Sequence, residues 1–492
     1  MQVALPIFVL MVVVLTTRRV LLALAAAVVT ACLVSVSGVM LAALTLFYVR
    51  VTEVLTDSLN LRSLLFVILL GMLANLMSES GAVLLFAKYV KKRLASRIKG
   101  QFVLIILAFL TAIDDYLSTL TRGVLARSLS RESNVSVTKY AYQVHGTSFS
   151  MHILFPLSST AIVIIAILQA TPAFQSLQIS PITFFIQTIP YNLYALLAMM
   201  LVIITSFSSR EVPALRKASD SALILSTEDG VPEEQRGAAH PLDFALLVFP
   251  LPVVATGLFL LPLLLQPDMN LSTLLAQGDI SMALLWSLAL MLIGALLFFW
   301  LARGFALSSL WRWSGRGALQ ILPVCLILTF GWTFGLLMNL DLDTQAVVSN
   351  VFGHLFIGSS LIPVLFFILS AVTAALIGCP WSSLALLLPI VLHAGLQINT
   401  EQSWLVLCGA AAISGVVLGD QISPISDLSI LTASSLGISP VQHASTQILL
   451  VAVTALSALL GFVLLGIGQS LLLVIGITLL VELTLFRLVT QA

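Results

Sequence analysis

The stretch VVLGDQISPISDLSILTASS, residues 416–435, decides how the chain is read. Apolar residues lead into it from Val416 and out of it from Leu428, yet Gly419, Pro424 and several polar side chains interrupt its middle. Asp420 and Asp427 are seven residues apart, which is two turns on a continuous helix, but Gly419 and Pro424 disfavour continuity. In a bilayer such a break is tolerated only where it faces protein or water, because lipid leaves free backbone groups unsatisfied. Unwound carbonyls together with the Ser423 and Ser426 hydroxyls then offer hard oxygen ligands, which suit Na+. A polar turn outside the membrane, with two surface aspartates, is the competing reading.

Composition sets this break in a membrane. Of 492 residues, 60% are hydrophobic and 9% charged, where a soluble domain carries about 25% charged residues. A soluble globular protein is excluded. At roughly 20 residues per crossing, the chain reads as an all-α polytopic membrane protein with about 12 transmembrane segments. The 22 basic and 21 acidic residues balance to +1, so no basic field is available for nucleic acid. Cys32, Cys325, Cys379 and Cys408 form no CxxC pair and read as packing residues. No HExxH or GxSxG arrangement supports an enzyme, and no cofactor is expected.

Charge divides the chain into a first membrane half over 1–208, a polar central loop over 209–242 and a second half over 243–492. The loop carries ten charged residues before Asp243. Spans are expected near 3–15, 61–76, 102–120, 140–170, 181–207, 244–265, 282–301, 319–340, 359–377, 382–396, 404–418, 441–466 and 470–488. The cluster Lys88, Lys91, Lys92, Arg93, Arg97 and Lys99, with Arg210, Arg216 and Lys217, points to the cytoplasm.

Three more breaks resemble the first. AIDDYLSTLTRG (112–123) and QVHGTSFSMHILFPLSST (143–160) lie in the first half, and ALIGCPWSSLALLLP (375–389) lies in the second. Their spacing suggests a weak internal repeat, over about 61–207 and about 319–466, with a site between the repeats near the membrane midplane. Asp114 and Asp115 are the sharpest feature. A carboxylate costs about 2.5–3.5 kcal/mol at a helix centre on insertion scales, so two in one apolar run call for a cation, a proton or a partner. The alternative is a hydrated pair at a span end, neutralised by Arg122. His145 reads either as a proton-coupling imidazole or as a neutral hydrogen-bonding residue. His354, His393 and His443 have no acid near them in sequence and read as core or interfacial. In CPWSS, Trp381 is a cavity wall or an interfacial anchor, beside Ser382 and Ser383.

Residues 65–123, with Ser80-Gly81, a basic loop and then Asp114-Asp115-Tyr116, resemble the first repeat of the NhaC-type sodium/proton antiporter family. GDQISPISDLSIL (419–431) is similar to that family's Gly-Asp-x-x-Ser-Pro-x-Ser-Asp signature. The resemblance implies two inverted repeats with re-entrant hairpins and broken helices, moving as an elevator. It carries Asp114, Asp115, Asp420, Ser423, Ser426 and Asp427 over as polar site positions. Where the family has an acid followed by Ser-Thr-Ala-Ala-Pro, this chain has His145-Gly146-Thr147-Ser148-Phe149-Ser150.

The expected function is exchange of Na+ or Li+ for H+ across a bacterial inner membrane. The ions would bind at Asp114, Asp115, Asp420 and Asp427, with Thr147, Ser148, Trp381, Ser382, Ser383, Ser423 and Ser426 lining the site and His145 coupled to protons. The alternative is Na+- or H+-coupled carriage of a small organic solute, an amino acid or a carboxylate. Expected partners are membrane lipid, Na+ and H+. The organic solute and a second copy of the chain remain open.

Overall fold

The computed structural model describes residues 4–17, 20–80, 97–112, 115–130, 135–156, 158–171, 174, 177, 179–208, 212, 215, 280–342 and 359–491. Among these residues there is no strand. The first-half helices are α1 (Ala4–Thr17), α2 (Val20–Ser35), α3 (Met40–Thr56), α4 (Ser58–Glu79), α5 (Arg97–Leu110), α6 (Asp115–Ser130), α7 (Val137–Leu154), α8 (Ser159–Ala170), α9 (Pro181–Thr188) and α10 (Leu193–Phe207). The second half gives α11 (Ile280–Leu301), α12 (Leu307–Leu336), α13 (Ile362–Ile377), α14 (Pro380–Ile398), α15 (Gln402–Ile422), α16 (Asp427–Leu436), α17 (Pro440–Gly466) and α18 (Leu471–Gln491).

Six described helical stretches are long and apolar enough to cross a membrane, or up to eight if each of two bent pairs is one span. This is a multi-pass membrane protein. The expected span at 244–265, the basic cluster through Arg93 and nearly all of the central loop lie outside the described residues. Three expected spans are not straight helices. The 102–120 segment stops at Leu110 and restarts at Asp115. The 140–170 segment bends by 46° after Leu154, where Pro156 removes a backbone donor, and the 181–207 segment bends by 51° at Asn192, after the 3-10 turn Ile189–Tyr191.

Serines mark the restarts. Ser136, Ser158, Ser180, Ser426 and Ser439 each accept a backbone N–H in the first turn of the helix that follows, so one orphan donor at each N-terminus is satisfied. α13 and α15 approach each other closely, and small residues make it possible. A Cβ on Gly415 would stand 2.2 Å from the Phe367 carbonyl oxygen, and one on Gly419 would stand 2.3 Å from that of Ala371. Without a hydrophobic force between helices in lipid, such backbone approach is a principal source of association.

This packing brings two breaks together. α13 ends at Gly378, whose φ of +72° favours glycine and whose Cβ position lies 2.7 Å from the Ile425 carbonyl oxygen. The Gly378 carbonyl accepts the Asp427 backbone N–H at 3.1 Å. The Ala375 carbonyl accepts the Ser423 hydroxyl at 2.8 Å. The turn between α13 and α14 is thereby fastened to the gap between α15 and α16, and α16 packs on α6 of the first half.

Candidate functional site

Asp115 opens α6 and Asp427 opens α16, so both carboxylates sit where the helix dipole favours negative charge. Asp115 is fully buried. Its Oδ1 accepts the Tyr116 backbone N–H at 3.1 Å and its Oδ2 accepts the Trp381 indole N–H at 3.1 Å. The Tyr116 hydroxyl in turn donates to Asp427 Oδ2 at 3.1 Å. An aromatic donor from each half therefore holds the acid of the other. Asp114 lies outside the described residues.

Asp420, in the last turn of α15, is the centre of a second group. It is 1% exposed. Ser426 donates its hydroxyl to Oδ1, and His145 Nε2 is 3.2 Å from Oδ2. His145 Nδ1 is 2.9 Å from His443 Nε2 and 3.3 Å from Gln447 Nε2. Gln447 also donates to the Gln421 carbonyl at 2.6 Å, and Tyr194 donates to the Gln421 side chain at 2.5 Å. Because the Gln447 amide can only donate, His145 Nδ1 is the acceptor and Nε2 carries the hydrogen that meets Asp420. His443, expected in a core or interfacial role, instead stands second in this row.

The hydroxyls of Thr147 and Ser148 are taken by a cation of the chain itself. Arg122 is fully buried, and its Nη1 donates to Thr147 Oγ1, its Nη2 to Ser148 Oγ at 2.9 Å and its Nε to the Ser118 carbonyl at 3.2 Å. Thr147 donates to the Gln143 carbonyl and Ser148 to that of Val144, both at 2.6 Å, which leaves Thr119 as the donor in its 2.7 Å contact with Ser148. Arg122 thus binds hydroxyls and a carbonyl, unlike the alternative sequence reading in which it neutralises the aspartate pair. Ser382 and Ser383 are buried in the first turn of α14, and Ser383 donates to the Cys379 carbonyl at 2.8 Å.

Of the four acids expected to bind the ions, the three described fall into two hydrogen-bonded groups. Asp115 and Asp427 are bridged through Tyr116, while Asp420 faces His145 and Ser426. Among the described residues no three Asp, Glu, His or Cys side chains converge as a metal-binding group. Chemically, the arrangement offers carboxylates, hydroxyls and broken-helix carbonyls to a hard cation, and carboxylates and imidazoles to a proton.

Tyr116, His443 and Gln447 escaped the sequence reading. Tyr116 adjoins the aspartate pair, whereas His443 and Gln447 lie about 300 positions from His145 and left no local signal. One signal was present: Phe155-Pro156-Leu157-Ser158 and Ser423-Pro424-Ile425-Ser426 share an x-Pro-x-Ser pattern, and each serine caps the helix after a break.

A family model described as "Na+/H+ antiporter family" matches residues 151–467. An uncharacterized protein of Haemophilus influenzae is 27% identical over 419 residues, covering 84% of this chain and 79% of that protein. Among solved structures, one described as "Structure and Function of Neisseria gonorrhoeae MtrF Illuminates a Class of Antimetabolite Efflux Pumps" is similar at a TM-score of 0.56 and 12% identity, covering 89% of this chain and 86% of that one. That likeness shows the fold alone. The Alcanivorax borkumensis YdaH transporter is similar at a TM-score of 0.49 and 12% identity, over 85% of this chain and 91% of that one.

Proposed function

We propose, for a chain that belongs to the Na+/H+ antiporter family, that this secondary transporter exchanges Na+ or Li+ for H+ across the bacterial inner membrane. The observation that carries the reading is a pair of carboxyls, Asp420 buried and Asp427 half-buried, at one helix break, neither with a Lys or Arg partner among the described residues. An isolated carboxylate in a low-dielectric interior is costly, so each is suited to a proton or a small cation. A carboxyl that accepts either one, but not both, exchanges them when it is exposed in turn to the two sides.

The surrounding groups suit both states. When Asp420 is ionised, the Ser426 hydroxyl and the His145 Nε2–H both donate to it. Turning the Ser426 hydroxyl would offer its oxygen to a cation instead, beside the carbonyls of the α15–α16 break. The Tyr116 and Trp381 contacts connect the acids of the two halves, so a change at one reaches the other. The test is a proteoliposome experiment with an imposed Na+ gradient, internal pH followed by a dye and no organic solute present. The wild type should change internal pH, and Asp420→Asn should not. A silent wild type, or a variant that responds equally, refutes the reading.

One observation favours a second reading. Arg122 is a buried cation bonded only to neutral oxygens, and a guanidinium in such a place suits a carboxylate. This supports Na+- or H+-coupled carriage of a small organic acid or amino acid. In the same vesicles, Na+-driven uptake of one such solute, lost in Arg122→Gln, would make it the better account.

A further inference from the structure

The last helix carries an acid that none of this uses. α18 is mostly turned outward: Leu472, Leu480 and Leu488 are exposed, while Val474, Thr478, Glu482 and Phe486, at every fourth residue, form a buried stripe. Glu482 is the twelfth of 21 residues and so sits mid-span. It is fully buried. Thr454 of α17 donates its hydroxyl to Oε1 at 3.0 Å, and Oε2 has no hydrogen-bond partner among the described residues.

The helices packed against α18 supply no counter-charge. α17 has one titratable side chain, His443, which lies eleven residues from Thr454, about 16 Å along the helix. α10 has only Tyr194. Tyr142 of α7 reaches the same region through the apolar cluster that holds Leu450, Val453 and Phe486. Arg487, five residues on along α18, points about 140° away and is exposed. Among the described residues nothing would compensate a carboxylate held there. A hard cation gathers several oxygen ligands, and here the carboxyl has one hydroxyl beside it. A proton needs no more than the open Oε2.

We propose that Glu482 is a second protonation site, one that takes a proton and not Na+, and that its proton keeps α18 packed against α17. The neutral acid fits a seam in which Gly461 approaches Val474 and Thr478. The ionised form draws in water or parts the helices. Proton binding and helix packing are thereby linked, and the packed state is favoured at low pH and weakened as pH rises through the titration. The inference does not depend on what the broken helices carry.

Dicyclohexylcarbodiimide, which adds across the O–H of a protonated carboxyl in an apolar setting, tests this on the full-length wild-type chain in lipid vesicles, with the adduct located by mass spectrometry. Glu482 should be labelled at neutral pH, progressively less as pH rises, and equally with or without Na+. Separately, the melting temperature of the wild type should fall towards alkaline pH more than that of Glu482→Gln, which keeps the neutral shape and cannot titrate. Absence of label at neutral pH overturns the protonation site, and protection by Na+ makes it a cation site. Parallel melting curves for the two chains across pH overturn the link to packing. The labelling needs no variant, so a failure of Glu482→Gln to fold leaves it decisive.

Discussion

Replacing Gly419 by alanine places a methyl group where the Ala371 carbonyl oxygen is 2.3 Å away and the Ala374 Cβ 2.6 Å away. Ordinary contact needs roughly 3.5 Å, so α13 and α15 must part by about 1 Å, and because the nearest obstacle is backbone no rotamer change relieves it. Overpacking of this kind costs about 1–3 kcal/mol, against a helix-propensity gain for alanine of about 1 kcal/mol. The same opening stretches the Ser423–Ala375 and Asp427–Gly378 hydrogen bonds, now 2.8 and 3.1 Å, past the length at which they count as bonds. Gly419→Ala should therefore melt at a lower temperature in detergent and transport Na+ with weaker apparent affinity. Gly476→Ala is the matched control, since nothing lies within 4 Å of its Cβ position and propensity alone should stabilise it. Were Gly419→Ala to melt at or above the wild-type temperature with unchanged Na+ dependence, the role given to the α13–α15 contact would be wrong.

Other substitutions probe the site from different sides. Tyr116→Phe removes a donor from half-buried Asp427 and Trp381→Phe one from buried Asp115, and each should cost about 1.5–3 kcal/mol. A double-mutant cycle by chemical denaturation should return coupling above about 0.5 kcal/mol, because Tyr116 touches both acids, and full additivity would deny the link between the halves. Ser426→Ala loses a helix cap, about 1 kcal/mol, together with the donor to Asp420, so it should alter both melting and the Na+ dependence of transport. Ser158→Ala, which caps the corresponding helix of the first half, should alter melting alone. Arg50 grips Asp341 with two bonds of 2.9 Å, a fork that lysine cannot reproduce. Arg50→Lys should lower stability by about 1 kcal/mol in a thermal melt and leave transport rates intact.

The breaks were legible because lipid makes them expensive: a glycine, a proline and an acid within an apolar run have few interpretations. Residues 423–426 separate α15 from α16 as Pro424 demands, and Asp115 begins a helix where the aspartate pair interrupts the run. Partnership was not legible. His145 meets His443 and Tyr116 meets Asp427 across roughly 300 residues, and hydropathy carries no record of which helix lies beside which. The alternative that paired Arg122 with the aspartates rested on nearness along the chain, whereas α7 presents Thr147 and Ser148 to it. Glu482 was hidden for the opposite reason: one acid in the 470–488 run hardly lowers its mean hydropathy. The bend after Leu154 falls inside the 143–160 break, whereas the bend at Asn192 was missed because apolar residues run up to it and on from it.

In α15 every residue from Leu405 to Gln421 is buried, whereas the span window in α18 is only 22% enclosed. A segment that barely meets acyl chains is insulated from the thickness and tension of the bilayer, and hydrophobic mismatch acts on it only through its neighbours. α15, which carries Asp420, is therefore mechanically indifferent to the lipid in which the chain is embedded. Its tolerance to substitution should be poor around its whole circumference, without the permissive outward stripe that α18 displays.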